Sequence, residues 1–157
     1  MVAIRKTELP VLGIEALRAE ASDEGYNFLD TLVEEWESGE NRFDGSGETL
    51  LGGWEAGTLI AVGGLNCDPF LGSAAVGRIR RVYVRPAWRG RGVGRTLITA
   101  LLEEARNHFE VVRLRAENAG AARLYERLGF AKIEDAHATH RLQLATVLLG
   151  TGTGPGA

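Results

Sequence analysis

The feature that most constrains the fold is a glycine-rich run at residues 89–94, which read Arg-Gly-Arg-Gly-Val-Gly. It follows Arg78–Val84, a β-branched segment of alternating pattern that stops at Pro86, and it leads into Val93–Phe109, the clearest amphipathic helix in the chain. Glycine lets the backbone approach a ligand closely because no Cβ intervenes, and the first amides of a helix lack intrahelical partners. A strand, a glycine turn and a helix in this order predict a site for a phosphate or pyrophosphate.

Charge favours an anion at this turn. Seven arginines lie between residues 78 and 95, although the whole chain has a net charge of −3. Of these, Arg89, Arg91 and Arg95 would add charge-assisted hydrogen bonds to a phosphate. Arg95 stands where a Walker A motif needs lysine and where a dinucleotide motif needs glycine, so neither motif is present. Taken alone, the run is equally compatible with a flexible connection that carries solvated arginines.

A second patterned segment covers residues 118–130, which read Asn-Ala-Gly-Ala-Ala-Arg-Leu-Tyr-Glu-Arg-Leu-Gly-Phe. Asn118 and Tyr125 are two helical turns apart and so share one helix face, with the small Ala121 between them. An amide and a phenol beside a small residue are suited to line a channel for an amide-bearing ligand. Two simpler interpretations stay open, in which Asn118 is only a helix N-cap and Tyr125 is only a core aromatic.

The remaining elements follow from periodicity and from turn residues. The expected helices are Leu9–Ala21, Tyr26–Glu37 and Asn118–Leu128, the last ending at Gly129. The expected strands are residues 2–6, Glu48–Glu55, Thr58–Leu65, Val111–Ala116, Phe130–Asp135 and His140–Leu148, and residues 66–77 are expected to form a loop. This order predicts a mixed α/β fold with helices packed on a central sheet.

Composition limits the chemistry that the chain can perform. Apolar residues make up 45% and charged residues 25% of the 157 residues, which suits one globular domain. Cys67 is the only cysteine, so an internal disulfide and a cysteine-based zinc site are excluded, and no metal is expected. No apolar run is long enough for a membrane span and no secretory signal is visible, so we expect a cytoplasmic protein without a membrane partner. The acidic balance argues against a nucleic-acid partner.

Together the two patterned segments resemble the GNAT superfamily of acetyl-CoA-dependent N-acetyltransferases. Residues 89–94 fit the family's coenzyme signature, Arg/Gln-x-x-Gly-x-Gly/Ala, and residues 118–130 are similar to its second signature. The resemblance implies an α/β (α+β) fold with a mixed, mostly antiparallel central sheet of six to seven strands flanked by about four helices. It also implies a single domain over residues 1–149, and we expect residues 150–157, rich in Gly and Thr, to be a disordered tail.

The resemblance further implies roles for individual residues. The amides of residues 91–95 would bind the pyrophosphate of coenzyme A, and Val82 and Val84 would pair with its pantetheine arm like an added strand. The Val84 amide would stabilise the developing oxyanion, and Tyr125 would protonate the leaving thiolate. The expected coenzyme-binding residues are Val82, Tyr83, Val84, Arg89, Gly90, Arg91, Gly92, Val93, Gly94, Arg95, Asn118, Ala121 and Tyr125. The implied acceptor is a primary amine of a small molecule or peptide.

One position departs from the family pattern. Arg78 stands where many relatives carry a glutamate that helps to deprotonate the amine. The candidate bases are then Asp68, Glu117 or a chain of waters, and Cys67 is an alternative as an acyl-carrying nucleophile. A non-catalytic acyl-CoA sensor on the same fold is the alternative function. The acceptor itself, the dimer state and the physiological role are not encoded in any motif that we recognise.

Overall fold

The computed structural model describes residues 1–144, which form one seven-stranded sheet with four α-helices. The strands are β1 Ala3–Lys6, β2 Thr49–Glu55, β3 Thr58–Cys67, β4 Val76–Val84, β5 Val111–Leu114, β6 Ala131–Lys132 and β7 His140–Gln143. The helices are α1 Ile14–Asp23, α2 Phe28–Ser38, α3 Val93–Ala105 and α4 Ala119–Arg127, with a 3-10 turn at Pro86–Trp88. The strand order is β1-β2-β3-β4-β5-β7-β6, and every neighbouring pair is antiparallel except β4 and β5. The mixed, mostly antiparallel sheet predicted from the sequence is therefore confirmed.

Two apolar clusters, one on each face of the sheet, make the core. Helix α3 buries a stripe at helical spacing, which includes Leu97, Ile98 and Leu101, on the face that also receives α4. Leu17 of α1 and Leu29 of α2 are buried in the cluster on the opposite face. Because these clusters hold each helix against the sheet, the cleft between the strands has firm walls.

Several element ends differ from the predictions. Helix α3 ends at Ala105, four residues earlier than predicted, because Phe109 turns into the core and fills the space that Gly77 leaves without a Cβ. Helix α1 begins only at Ile14, after Gly13 in the left-handed region. Strand β3 continues two residues into the predicted loop and ends at Cys67, and strand β4 begins two residues earlier than predicted, at Val76.

Strands β5 and β6 are also shorter than predicted. Strand β6 has two residues instead of Phe130–Asp135, since Phe130 is buried under α4 and Asp135 turns to accept the amide of His137. Strand β5 ends at Leu114. The predicted continuation of β7 to Leu148, the domain limit at 149 and the tail at 150–157 lie outside the described residues. No helix within residues 1–144 is long and apolar enough to cross a bilayer.

Strands β4 and β5 separate after a short parallel ladder. The ladder pairs Val76–Arg78 with Val111–Arg113, whereas β4 continues to Val84. A bulge changes the course of β4, because Arg81 and Val82 together oppose Gly63 of β3 and Arg81 has a φ of 60°. The divergence leaves one side of β4 without a strand partner and opens the sheet at its centre.

Candidate active site

A cavity of about 570 Å³ occupies the gap between the diverging strands. Its walls come from β4, the glycine-rich turn, the first turn of α3, helix α4 with the residues just before it, and the start of α2. Of the predicted coenzyme-binding residues, the cavity is lined by Val82, Tyr83, Val84, Arg89, Gly90, Gly92, Val93, Gly94, Arg95, Asn118, Ala121 and Tyr125. Arg91 does not line the cavity, and its guanidinium lies 3.9 Å from Glu55. The two patterned segments of the sequence thus meet at one site.

The glycines of the turn serve two different purposes. Gly90 and Gly92 have φ values of 79° and 80°, in the left-handed region that favours glycine. A Cβ on Gly94 would instead lie 3.3 Å from Leu124 and 3.9 Å from Val84, so this glycine lets α3 pack closely against α4 and β4. The first two glycines shape the turn, and the third brings its walls together.

The N-terminus of α3 presents unpaired amides to the cavity. Gly92 is the N-cap and has no side-chain cap hydrogen bond, and the first intrahelical bond runs from the Thr96 amide to the Gly92 carbonyl. The amides of Val93, Gly94 and Arg95 therefore have no intrahelical partner. Together with the helix dipole and the exposed Arg95 side chain, they make this end of the cavity suitable for an anion.

The backbone of β4 adds a donor in the middle of the cavity. The Arg85 amide donates to Ile60 of β3 at 2.9 Å, so alternation turns the Val84 amide to the opposite side of the strand, which faces the gap. The Val84 carbonyl already accepts a hydrogen bond from Nε of Arg89 at 2.9 Å. Val84 thus keeps a free N–H beside an occupied carbonyl.

Arg89 is held by a partner that the sequence did not reveal. Its guanidinium donates to both carboxylate oxygens of Glu24 at 2.7 Å, and the Tyr83 hydroxyl donates to Glu24 at 2.6 Å. The Arg89 hydrogen bond, with that of Tyr83, lowers the pKa of Glu24 to about 2. The Arg89 side chain is therefore engaged within the protein, which differs from the predicted role as a phosphate ligand.

Asn118 caps helix α4, as one of the two interpretations predicts, and it also makes a long-range hydrogen bond. Its Oδ1 accepts the Ala121 amide at 2.9 Å, which confirms it as the N-cap of α4. Its Nδ2 donates to the Tyr26 hydroxyl at 3.1 Å, across a separation of 92 residues. Asn118 thus joins α4 to the segment before α2 at the rim of the cavity, and Tyr26 is a lining residue that the sequence pattern missed.

Tyr125 is buried, with 6% of its surface exposed, yet it lines the cavity. Within residues 1–144 no group makes a hydrogen bond with its hydroxyl. Burial raises the pKa of Tyr125 to about 12, and the negative charge of Glu117 adds to the shift. The phenol is consequently neutral, and available as a proton donor, throughout the physiological range.

The structure separates the candidate bases. Asp68 is enclosed in a cluster in which its Oδ2 lies 3.6 Å from Arg78 and 3.5 Å from Arg113. Arg78 also donates to the His137 carbonyl at 2.6 Å. Arg78, which stands where many relatives carry a glutamate, is therefore part of this buried cluster. Asp68 does not line the cavity, so the structure gives no support to Asp68 as the base. Glu117 does line the cavity.

Cys67 is unsuited to carry an acyl group. Its thiol donates to the Ser73 carbonyl at 3.4 Å, and burial raises its pKa, which disfavours the nucleophilic thiolate. It also does not line the cavity. In the part of the chain that the structure describes, no cluster of three or more His, Cys, Asp or Glu side chains is placed to hold a metal ion.

Comparison with known proteins places this geometry in a family. The family model for the acetyltransferase (GNAT) family matches residues 14–130. A 52-residue segment is 44% identical to the L-methionine sulfoximine/L-methionine sulfone acetyltransferase of Salmonella typhimurium, a match over 31% of this chain and 30% of that protein. The chain therefore spans less than a third of the length of that relative.

Solved structures agree over nearly the whole length. A proposed acetyltransferase from Exiguobacterium sp. 255-15 superposes with a TM-score of 0.84 at 26% identity, over 97% of this chain and 99% of that one. The proposed acetyltransferase yncA of Salmonella typhimurium, solved with its cofactor acetyl-CoA, superposes with a TM-score of 0.69 at 23% identity, over 92% and 94% of the two chains. With a family model that covers most of its residues, the chain belongs to the GNAT family of acetyltransferases.

Proposed function

We propose that this protein transfers an acetyl group from acetyl-CoA directly to a primary amine of a small molecule or peptide. The observation that carries the proposal is the convergence on one cavity of three groups: the unpaired amides of α3, the free amide of Val84 and the neutral phenol of Tyr125. Each group matches a different part of the reaction. The yncA structure with acetyl-CoA supports the choice of co-substrate.

The residues present fit acetyl-CoA at two points. The amides of Val93, Gly94 and Arg95 suit its pyrophosphate, since Gly90 and Gly92 leave the approach clear with nothing within 4 Å of their Cβ positions. The unpaired side of β4 suits the amide-bearing pantetheine arm, which would add to the strand at Val82 and Val84 as peptides add to sheet edges. Asn118 would bound this channel from α4.

The chemistry follows from the remaining groups. The amine nitrogen attacks the thioester carbonyl carbon, whose oxygen takes up negative charge beside the Val84 amide. As the bond between carbon and sulfur breaks, Tyr125 gives its proton to the thiolate. The attacking amine must lose a proton, since an alkylammonium has a pKa near 10.4. Glu117 is the carboxylate placed in the cavity to receive it.

The decisive experiment is an acetyl-CoA-dependent screen of amines, amino acids, aminoglycosides and peptides with free N-termini, measured by thiol release. Mass spectrometry of the product confirms the acetylated nitrogen. Thiol release that depends on an amine supports the proposal. Tight coenzyme binding without turnover of any amine would contradict it and would identify a non-catalytic acyl-CoA sensor.

A further inference from the structure

One arginine of the cavity wall combines partial burial with the lack of a hydrogen-bond or ion-pair partner in the part of the chain that the structure describes. Arg80 of β4 lines the cavity, as do Tyr26 and Phe28, and it precedes Val84 by four residues along the strand. Its Nε is buried without a hydrogen-bond partner, and within residues 1–144 no carboxylate oxygen lies within 4 Å of its guanidinium. Burial, followed by the charge of Arg81, lowers the pKa of Arg80 to about 10. The protein has therefore desolvated a cation without giving it a close carboxylate partner, and the negative charges of Glu35 and Asp68 act on it only from a greater distance.

The bulge in β4 explains why this arginine faces the cavity. In a regular strand, Ile79 and Val82 would lie on opposite faces, but both pack in the cluster on the α3 side. The extra residue thus turns Arg80 and Arg81 together toward the α2 side. Arg81 forms an ion pair with Glu35 of α2 at 3.2 Å, whereas Arg80 forms no ion pair of this kind within residues 1–144. Two adjacent arginines share a face, and within residues 1–144 only Arg81 forms a close ion pair with a carboxylate.

We propose that Arg80 binds a carboxylate of the acceptor, so that the acceptor is an amino acid. This inference rests on the proposed function and names the substrate class of the same site. A guanidinium binds a carboxylate through two parallel hydrogen bonds, and an unpartnered Nε is one of the donors that this geometry uses. An ion without a partner in a desolvated site is unfavourable, and a carboxylate from the substrate would relieve that cost.

The position of Arg80 assigns it to the acceptor and not to the coenzyme. The anion site at α3 and the Val84 amide both follow it along the chain, so the thioester lies between Arg80 and the pyrophosphate site. Four strand residues span at most about 13 Å, and the arginine side chain covers part of that distance. The short remaining distance suits an acceptor whose amine and carboxylate are only a few bonds apart, as they are in an α-amino acid.

The surrounding charge excludes the opposite class of acceptor. Arg115 also lines the cavity, and its guanidinium donates to the Ala136 carbonyl at 2.9 Å, so its charge is not neutralised by that contact. Two arginines at the acceptor end oppose polyamines and aminoglycosides through like-charge repulsion. Glu117 is the carboxylate among the lining residues, and it lies on the side of Tyr125.

Matched acceptors test the proposal. Thiol release is measured with L-leucine, L-methionine and L-phenylalanine, and with the amide and the decarboxylated amine of each. We expect kcat/KM for at least one amino acid to exceed that of its amide and amine by tenfold or more. Arg80→Gln should abolish that preference and Arg80→Lys should retain part of it. Arg106→Gln, which changes an exposed arginine directly after α3 and outside the cavity, should change neither value.

A binding measurement separates this inference from the proposed function. Calorimetry with the twenty L-amino acids, in the presence of coenzyme A, should detect binding of at least one of them to the native protein. The Arg80→Gln variant should bind that amino acid at least tenfold more weakly. Its affinity for coenzyme A should be unchanged. Binding without turnover would contradict the proposed function and support the arginine site. Turnover of amines that lack a carboxylate, at rates equal to those of amino acids, would support the function and overturn the role of Arg80. Absence of binding by all twenty amino acids would also overturn it.

Discussion

Arg89 at the start of the glycine-rich turn donates to both carboxylate oxygens of Glu24 at 2.7 Å. Glu24 immediately follows α1, so this contact fixes the end of that helix against the turn that leads into α3. The Tyr83 hydroxyl donates to the same carboxylate, and the Arg89 guanidinium lies 5.3 Å from the centre of the Tyr83 ring. Glu24 thus contacts two residues of a segment about 60 positions away, Tyr83 and Arg89, and the three together position the anion-binding turn before any ligand arrives.

This contact predicts a particular acid sensitivity. Because Arg89 and Tyr83 lower the pKa of Glu24 from 4.5 to about 2, the folded state binds fewer protons than the unfolded state between these values. The stabilisation is present above pH 4.5 and is lost as the pH falls toward 2. In Glu24→Gln, the free energy of unfolding in urea should therefore decline less between pH 5 and pH 2.5. Asp23→Asn, an exposed neighbour, is the control and should keep the native decline.

The glycine-rich turn can be tested against a turn with the same conformation. Gly92→Val places a side chain at the mouth of the anion site and should weaken acetyl-CoA binding at least a hundredfold in calorimetry. Gly57, in the turn between β2 and β3, has a φ of 81° against 80° for Gly92, and each has nothing within 4 Å of its Cβ position. Gly57→Val should therefore suffer similar backbone strain and retain native affinity. Equal loss of affinity in both variants would show that strain alone is responsible.

Tyr125→Phe isolates the hydroxyl. The ring packing remains, so coenzyme affinity should change little, while kcat should fall by at least tenfold, since acid catalysis contributes a factor of about 10² to 10⁴. The pKa of about 12 means that Tyr125 stays protonated, so it should cause no decline of kcat between pH 7 and pH 10. A normal kcat with weakened acetyl-CoA binding would instead make Tyr125 a wall of the channel.

Glu117→Gln tests whether Glu117 accepts the proton that the acceptor amine loses. At neutral pH, kcat/KM should fall by at least tenfold, because the acceptor is then mostly alkylammonium. The deficit should shrink as the pH rises toward 10, where the free amine becomes abundant. Glu103→Gln on the exposed side of α3 should reproduce the native pH profile. A deficit that is independent of pH would indicate a role in binding the acceptor.

The buried charge cluster should matter for stability and not for catalysis. Asp68→Ala leaves the guanidinium groups of Arg78 and Arg113 facing each other without their shared carboxylate, which should cost about 3 kcal/mol of unfolding free energy in urea. The exposed Asp44→Ala should cost little. Folded Asp68→Ala should keep native kcat, and a lost kcat in a folded variant would reopen Asp68 as a base.

The local parts of the molecule could be predicted, and the long-range contacts could not. Helix α3, the turn before it and the N-cap at Asn118 depend on residues within a few positions of one another, so periodicity and capping preferences reveal them. Glu24 and Arg89 are 65 residues apart, and nothing in either segment marks the other as its partner. The end of α3 differs from the prediction for the same reason, since Phe109 lies outside the helix and fills the space beside Gly77.

The site was likewise predictable only in part. The two signatures indicate which segments meet, and the structure does bring them to one cavity. They do not indicate that Gly94 serves helix packing while Gly92 serves the turn, because both are simply glycine in the sequence. Arg80 carries no motif at all, and its isolation depends on a bulge and on the absence of a nearby carboxylate within residues 1–144.

The short ladder between β4 and β5 also affects how the protein avoids aggregation. A strand edge with unpaired N–H and C=O groups normally invites pairing with another chain and hence aggregation. Here the unpaired side of β4 lies inside the sheet, in a slot bounded by α4 on one side and by Tyr26 and Phe28 on the other. A slender extended molecule fits between these walls, whereas the edge of a second protein's sheet, with its side chains above and below, does not. The unpaired backbone groups of β4 are thereby accessible to a narrow ligand and not to the sheet edge of another copy of the chain.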